Sequence, residues 1–122
     1  MLRFHHVNLA VLPGRLDEEI EFLVDGLGMT SIDAGPELTA RGACWFEFED
    51  GVQVHLSQDP DHRPAGRAHV ALDLGDQLEA IGRRLGELGV QSTMSSDRPD
   101  PVLNCVDPAG NRWELRGELA AS

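Results

Sequence analysis

Four residues at matched places in two halves of the chain have the chemistry of metal ligands: His6, His55, His69 and Glu114. Imidazole nitrogens and carboxylate oxygens bind first-row divalent metals, and two His with one carboxylate and open positions suit iron(II). The matching rests on spacing. His6 opens His6-Val7-Asn8-Leu9-Ala10-Val11, and His69 opens His69-Val70-Ala71-Leu72-Asp73-Leu74. His55 lies four residues after Gly51 (55 − 51 = 4), and Glu114 lies four after Gly110 (114 − 110 = 4). A lone His on a strand is usually a bystander. Four ligand-type residues at repeat-equivalent positions point instead to one shared site for a divalent ion: Fe, Ni, Co, Zn or Mn. His5 reads as facing the apolar side of its strand, and His62 falls in a linker, so neither joins the set.

The elements that must carry these residues repeat as well. After the first strand, Leu16, Ile20, Leu23, Val24 and Leu27 recur at helical spacing with acids between them, and Gly28 suits a left-handed cap. After the second, Leu78, Ile81, Leu85 and Leu88 form the stripe, Asp76 with Glu79 has the pattern of a capping box, and Gly89 is the stop. Each half then turns to strands: Ala43–Phe48 and Val52–Ser57 in the first, Val102–Val106 and Asn111–Leu115 in the second. Shorter strands are expected near Thr30–Asp33 and Gln91–Met94. The Pro-, Gly- and Asp-rich stretch from Gln58 to Gly66 reads as a linker. The expected organisation is one domain over residues 1–122: module one 1–57, linker 58–66, module two 67–119. Each module is strand–helix–strand–strand–strand, too small to bury a face alone, so the two should pack about a pseudo-twofold.

Strand alternation assigns faces. His6 and Asn8 share one side of the first strand, Gln53 and His55 one side of the fourth, and Arg112 and Glu114 one side of the last. The opposite sides are apolar and can pack on helices. If Glu49-Asp50-Gly51 is a three-residue loop with Gly51 left-handed, Trp45 pairs with His55 and Phe46 with Val54. Trp45 and Glu47 then join the polar face. That gives a substrate pocket of Asn8, Trp45, Gln53 and Arg112, with Glu114 and Glu47 as the carboxylates able to move a proton.

Composition removes other classes. The 21 acids against 10 arginines, with no lysine, give a net charge of −11. That excludes a nucleic-acid or anionic-membrane partner and favours, if anything, a cationic ligand. There is no apolar run near the length of a membrane span and no signal-peptide core, which reads as a cytoplasmic chain. Cys44 and Cys105 lie inside strand-like runs and read as reduced, buried residues.

With these residues in place, the chain resembles the vicinal oxygen chelate superfamily: glyoxalase I, extradiol dioxygenases, fosfomycin-resistance transferases, epimerases and bleomycin-resistance proteins. The resemblance runs from Phe4 to about Arg116. It is carried by the strand from Phe4 to Val11, the helix end Asp25–Met29, Val54-His55-Leu56, Ala68–Leu72, and Asp107-Pro108-Ala109-Gly110-Asn111-Arg112-Trp113-Glu114-Leu115. It implies an α+β fold in which two βαβββ modules form a cupped mixed sheet with helices outside, and it places His6, His55, His69 and Glu114 on the family's metal-ligand positions. His55 departs from the glyoxalase I pattern, which has a carboxylate there. His6, His69 and Glu114 alone resemble the facial triad of the dioxygenases and fosfomycin transferases. Against the dioxygenases, the chain has no Tyr. The activity implied is a glyoxalase-type lyase or isomerase proton transfer on a small molecule chelated through adjacent oxygens. The alternatives are an extradiol-type ring-cleaving dioxygenase and a non-enzymatic, bleomycin-type antibiotic-sequestering protein. A homodimer is the expected assembly.

Overall fold

The structure, a computed structural model, describes residues 1–95 and 100–118. The expected end of module two, residue 119, lies outside the described residues. The chain forms two compact units, Met1–His62 and Arg63–Ser122, and the division falls within the Pro- and Gly-rich stretch 58–66.

In unit one, β1 (His6–Val11) leads through a tight turn into α1 (Leu16–Glu21), whose path continues as a π turn over Phe22–Gly26. There follow β2 (Thr30–Ile32), a short α2 (Pro36–Ala40), β3 (Cys44–Glu47) and β4 (Gln53–Gln58). The sheet order is β1-β4-β3-β2, with β1 parallel to β4 and the other pairs antiparallel. Unit two repeats the scheme with β5 (His69–Asp73), α3 (Leu78–Glu87), β6 (Ser92–Ser95), β7 (Val102–Val106) and β8 (Arg112–Arg116), in the order β5-β8-β7-β6. β5 is parallel to β8, and the remaining pairs are antiparallel. The protein is α+β, two βαβββ modules.

The local causes are legible. Gly28 and Gly89 end their helical runs at φ +79° and +82°. The NH of Met29 donates to Leu23 O at 3.0 Å, and that of Val90 to Leu85 O at 2.9 Å. These wrap-back bonds are what a left-handed glycine cap allows. The two inner hairpins are the same object. Five residues separate the last ladder pairs, Glu47 with Gln53 and Val106 with Arg112. Gly51 and Gly110 adopt φ +86° and +88° and donate to Phe48 O and Asp107 O. The loop therefore sets the register expected from Glu49-Asp50-Gly51: Trp45 opposes His55 and Phe46 opposes Val54. Phe46, Val54 and Leu56 are buried in unit one; Cys105, Trp113 and Leu115 are their counterparts in unit two.

Local expectations are corrected at Glu19, α2, His5 and Cys44. Glu19 is fully buried rather than on a solvated acidic face, because the buried positions of this helix run Glu19, Phe22, Leu23, Gly26 and Leu27. Asp76 accepts from the Gln77 side chain, and the approach to α3 is set by Asp73 Oδ1 accepting from the NH of Gly75. α2 was not expected. Pro36 suits its first turn, and Gly35 before it takes φ +89°. His5 precedes β1, so its exposed ring lies not on the apolar side but against His6. Cys44 is only half-buried; Cys105 is buried as expected, and both thiols are free.

Candidate functional site

The identical hairpins make the polar faces of the two sheets directly comparable. In unit one, Asn8, His55, Trp45 and Ile32 form one row across the strands, and His6, Gln53, Glu47 and Thr30 form the next. In unit two the equivalent row is Ala71, Glu114 and Asn104, and beside it lie His69, Arg112 and Val106. His6 stands two residues behind the partner of His55, and His69 two behind the partner of Glu114. The backbone thus gives the four residues the repeat equivalence read from spacing.

On unit two, His69 and Glu114 are diagonal neighbours on one face. His69 Nδ1 lies 3.0 Å from the carbonyl oxygen of Arg67, which can only accept, so Nδ1 carries the hydrogen. In the neutral ring the lone pair then sits on Nε2, and Nε2 is 3.4 Å from Glu114 Oε1. Two lone-pair atoms facing each other repel unless a proton or a cation lies between them. Ligand atoms about 2.1 Å from one ion and about 109° apart would be separated by about 3.4 Å, so the pair fits a divalent metal. A backbone carbonyl that fixes the other ring nitrogen is the usual support for a metal-binding His. The second carboxylate oxygen of Glu114 is held by Arg116 Nη2 at 3.3 Å. His69, Arg112 and Glu114 line a cavity of about 540 Å³ together with Arg67, Gln91, Thr93 and Asn104.

The face of unit one is built differently. His6, His55 and Trp45 stack: the ring centroids of His6 and His55 are 3.9 Å apart with planes at 16°, and those of Trp45 and His55 are 3.9 Å apart at 3°. His55 Nε2 is hydrogen-bonded to Gln53 Oε1 at 2.8 Å. His6 Nδ1 meets His5 Nδ1 at 2.9 Å. Imidazole lone pairs lie in the ring plane, so two stacked, near-parallel rings do not aim at one ion. His55 is 6% exposed. Burial pushes its pKa down to about 4, and the neighbouring His6 and His5 add to the effect. Asn8 accepts from Ser57 Oγ at 2.8 Å, and half-buried Glu47 faces Gln53 across the ladder. Among the described residues of either unit, no three His, Cys, Asp or Glu side chains are gathered for a metal ion; unit two supplies a matched pair.

Sequence reasoning missed Arg67, Asn104 and Arg116. Asn104 was within reach, since the hairpin rule that set Trp45 opposite His55 sets Asn104 opposite Glu114. Arg67 precedes its strand, so no alternation pattern places it. Cys105 also lines the cavity of unit two, and Cys44 does not. Burial raises the thiol pKa of Cys44, and burial with the charge of Asp107 raises that of Cys105 to about 12.

Residues 3–115 match the family model of the Glyoxalase/Bleomycin resistance protein/Dioxygenase superfamily. A search of curated proteins returned no match. Among solved structures, a glyoxalase family protein from Bacillus anthracis is 28% identical with a TM-score of 0.84, covering 98% of this chain and 97% of its own. A glyoxalase/dioxygenase from Nostoc punctiforme is 25% identical with a TM-score of 0.78, covering 97% and 92%. The fosfomycin resistance protein FosX from Listeria monocytogenes, in a crystal with Mn(II) and a sulfate ion, shares the fold at 15% identity, with a TM-score of 0.73 and coverage of 98% and 94%. Among the described residues, no helix is long and apolar enough to cross a membrane.

Proposed function

Because the chain belongs to the Glyoxalase/Bleomycin resistance protein/Dioxygenase superfamily, we propose that it is a divalent-metal-dependent enzyme of glyoxalase type, catalysing a lyase or isomerase proton transfer on a small molecule. The observation that carries this reading is the His69–Glu114 pair: a fixed Nε2 lone pair facing a carboxylate oxygen across 3.4 Å, at the wall of a ligand-sized cavity. His69 and Glu114 are direct ligands. The resemblance to the family's facial triad names His6 as the third donor, and His55 is a supporting residue rather than a fourth ligand. A bound ion would polarise adjacent oxygens of the substrate and stabilise the negative charge that develops on them.

The chain's own residues do the rest. The Arg67 carbonyl holds the His69 ring in the tautomer that offers Nε2. Arg116 orients the Glu114 carboxylate. Glu114 and Glu47 are the carboxylates assigned to proton transfer, and of these Glu114 lines the cavity. The Asn104 amide donates to Ser95 Oγ at 2.9 Å, which fixes its oxygen as an acceptor on the cavity wall. In this reading the protein is a cytoplasmic homodimer acting on a small-molecule substrate. The dimer follows from the end strands of each sheet, which need cover, and sedimentation at micromolar concentration tests it. The glyoxalase and dioxygenase chemistries differ in whether oxygen is consumed.

The test is metal analysis of protein purified without chelator, then reconstituted with Mn, Fe, Co, Ni or Zn. Assays for proton exchange on hydroxycarbonyl compounds and for oxygen uptake with catechols follow. About one ion per site and no oxygen uptake are expected. No bound metal under any of these conditions would move the reading to the antibiotic-sequestering alternative, and oxygen uptake to the dioxygenase.

A further inference from the structure

We infer that the cavity of unit two receives an oxyanion of the substrate, a carboxylate or a phosphoryl-type group, held by the guanidinium groups of Arg67 and Arg112. The inference deepens the proposed function by naming its substrate class, and it rests on that reading only for the neighbouring His69–Glu114 pair. The carrying observation is a local inversion of charge. Over the whole chain acids outnumber arginines 21 to 10. Along the cavity wall the balance reverses: Arg67 and Arg112 stand against one acid, Glu114. That acid is already engaged, with Oε1 facing His69 and Oε2 on Arg116. Among the described residues, neither Arg67 nor Arg112 has an ion pair or a side-chain hydrogen bond.

An exposed arginine is ordinarily a solvated surface group. Two of them here share a cavity with a third polar wall, and both are tied to the candidate ligand. Arg112 is the ladder partner of His69, and Arg67 is the residue whose carbonyl holds the His69 ring. An anion bound by either would lie close to the atoms that face an ion. The planar guanidinium fork matches the paired oxygens of carboxylate and phosphate. Thr93 and Gln91 add neutral donors to the wall. The whole-chain charge therefore misleads about the ligand: a net −11 suggests a cation, while the cavity is built for an anion.

The experiment uses full-length protein stripped of metal and freed of chelator, so that anions cannot be counted through a bound ion. Inorganic phosphate, methylphosphonate and succinate are titrated calorimetrically. Saturable binding of at least one is expected, and the preferred probe separates the phosphoryl from the carboxylate source. Arg67→Gln and Arg112→Gln should each weaken it about 10-fold or more, the usual worth of a hydrogen bond to a charged group. Arg112→Lys should recover part of the loss. Arg83→Gln, which lowers the net charge equally on the exposed face of α3, should change nothing; circular dichroism checks folding in each. No saturable binding with any probe in the tens of millimolar, or binding indifferent to both arginine variants, would overturn the inference. Anion binding without any metal binding would overturn the metal reading alone, and metal binding without the arginine effect would overturn this inference alone.

Discussion

Units one and two share strand order, ladder register and hairpin geometry, yet their polar faces have opposite characters. Unit one closes its face with stacked aromatic rings, His6 on His55 on Trp45. Unit two keeps its face ionic and open, with His69, Glu114 and Arg116 beside a cavity. The substitutions responsible are few. Trp45 is replaced by Asn104 and His55 by Glu114 at equivalent ladder positions, so a large ring that fills space becomes a small amide that leaves it. A repeated backbone fixes where side chains stand; their size and charge decide whether that place becomes packing or a site.

The largest test of this contrast is metal content. His69→Ala and Glu114→Gln should lose most bound metal, whereas His55→Ala should weaken binding only on the order of 10–100-fold, as for a supporting residue. Equal loss in all three, read by elemental analysis of folded protein, would make His55 a ligand and erase the difference between the faces.

The next test concerns the hairpins. Asp107 accepts from the NH groups of Ala109 and Asn111 and from Trp113 Nε1, the last at 2.9 Å, and is 3% exposed. Asp50, in the first hairpin, accepts one backbone NH at an exposed site, that of Val52, at 3.0 Å. Chemical denaturation should find Asp107→Ala destabilising by about 3–5 kcal/mol and Asp50→Ala by about 1 kcal/mol or less. Similar values would mean that the buried turn carboxylate contributes nothing special to unit two.

A smaller difference is expected at the turn glycines. Both have positive φ, so alanine at either costs about 1–2 kcal/mol in backbone strain. A methyl group on Gly110 would also meet Pro64 Cγ at 2.6 Å, whereas on Gly51 its nearest neighbour is Arg3 Nη2 at 3.6 Å. Gly110→Ala should therefore be the worse of the two in the same denaturation assay.

The smallest effect is a pH slope confined to unit one. His55 falls from the ordinary 6.5 to about 4 in the fold. Between those values the unfolded chain binds more protons than the folded one, so stability should rise with pH from about 4 to 6.5 and level off above. His55→Gln should flatten that rise. A slope unchanged by the substitution would locate the titrating group elsewhere.

Features that depend on local periodicity were legible in the amino-acid order. The two-residue alternation set His6 with Asn8 and Arg112 with Glu114, the glycines ended both helical runs, and the three residues Glu49-Asp50-Gly51 fixed which side Trp45 and Glu47 take. Each follows from backbone geometry within a few residues, so no tertiary information was needed. The burial of Glu19 was not legible, because its side of the helix is set by what packs there and acids are normally solvated. The character of the two faces was not legible either. A ligand-type residue on a strand can stack, as His55 does, or face a carboxylate, as His69 does, and the choice depends on which side chains stand on the neighbouring strands. The tertiary structure alone brought the Arg67 carbonyl to the His69 ring and two arginines to one cavity, since these contacts depend on how the segment before β5 meets the sheet rather than on any repeat in the chain.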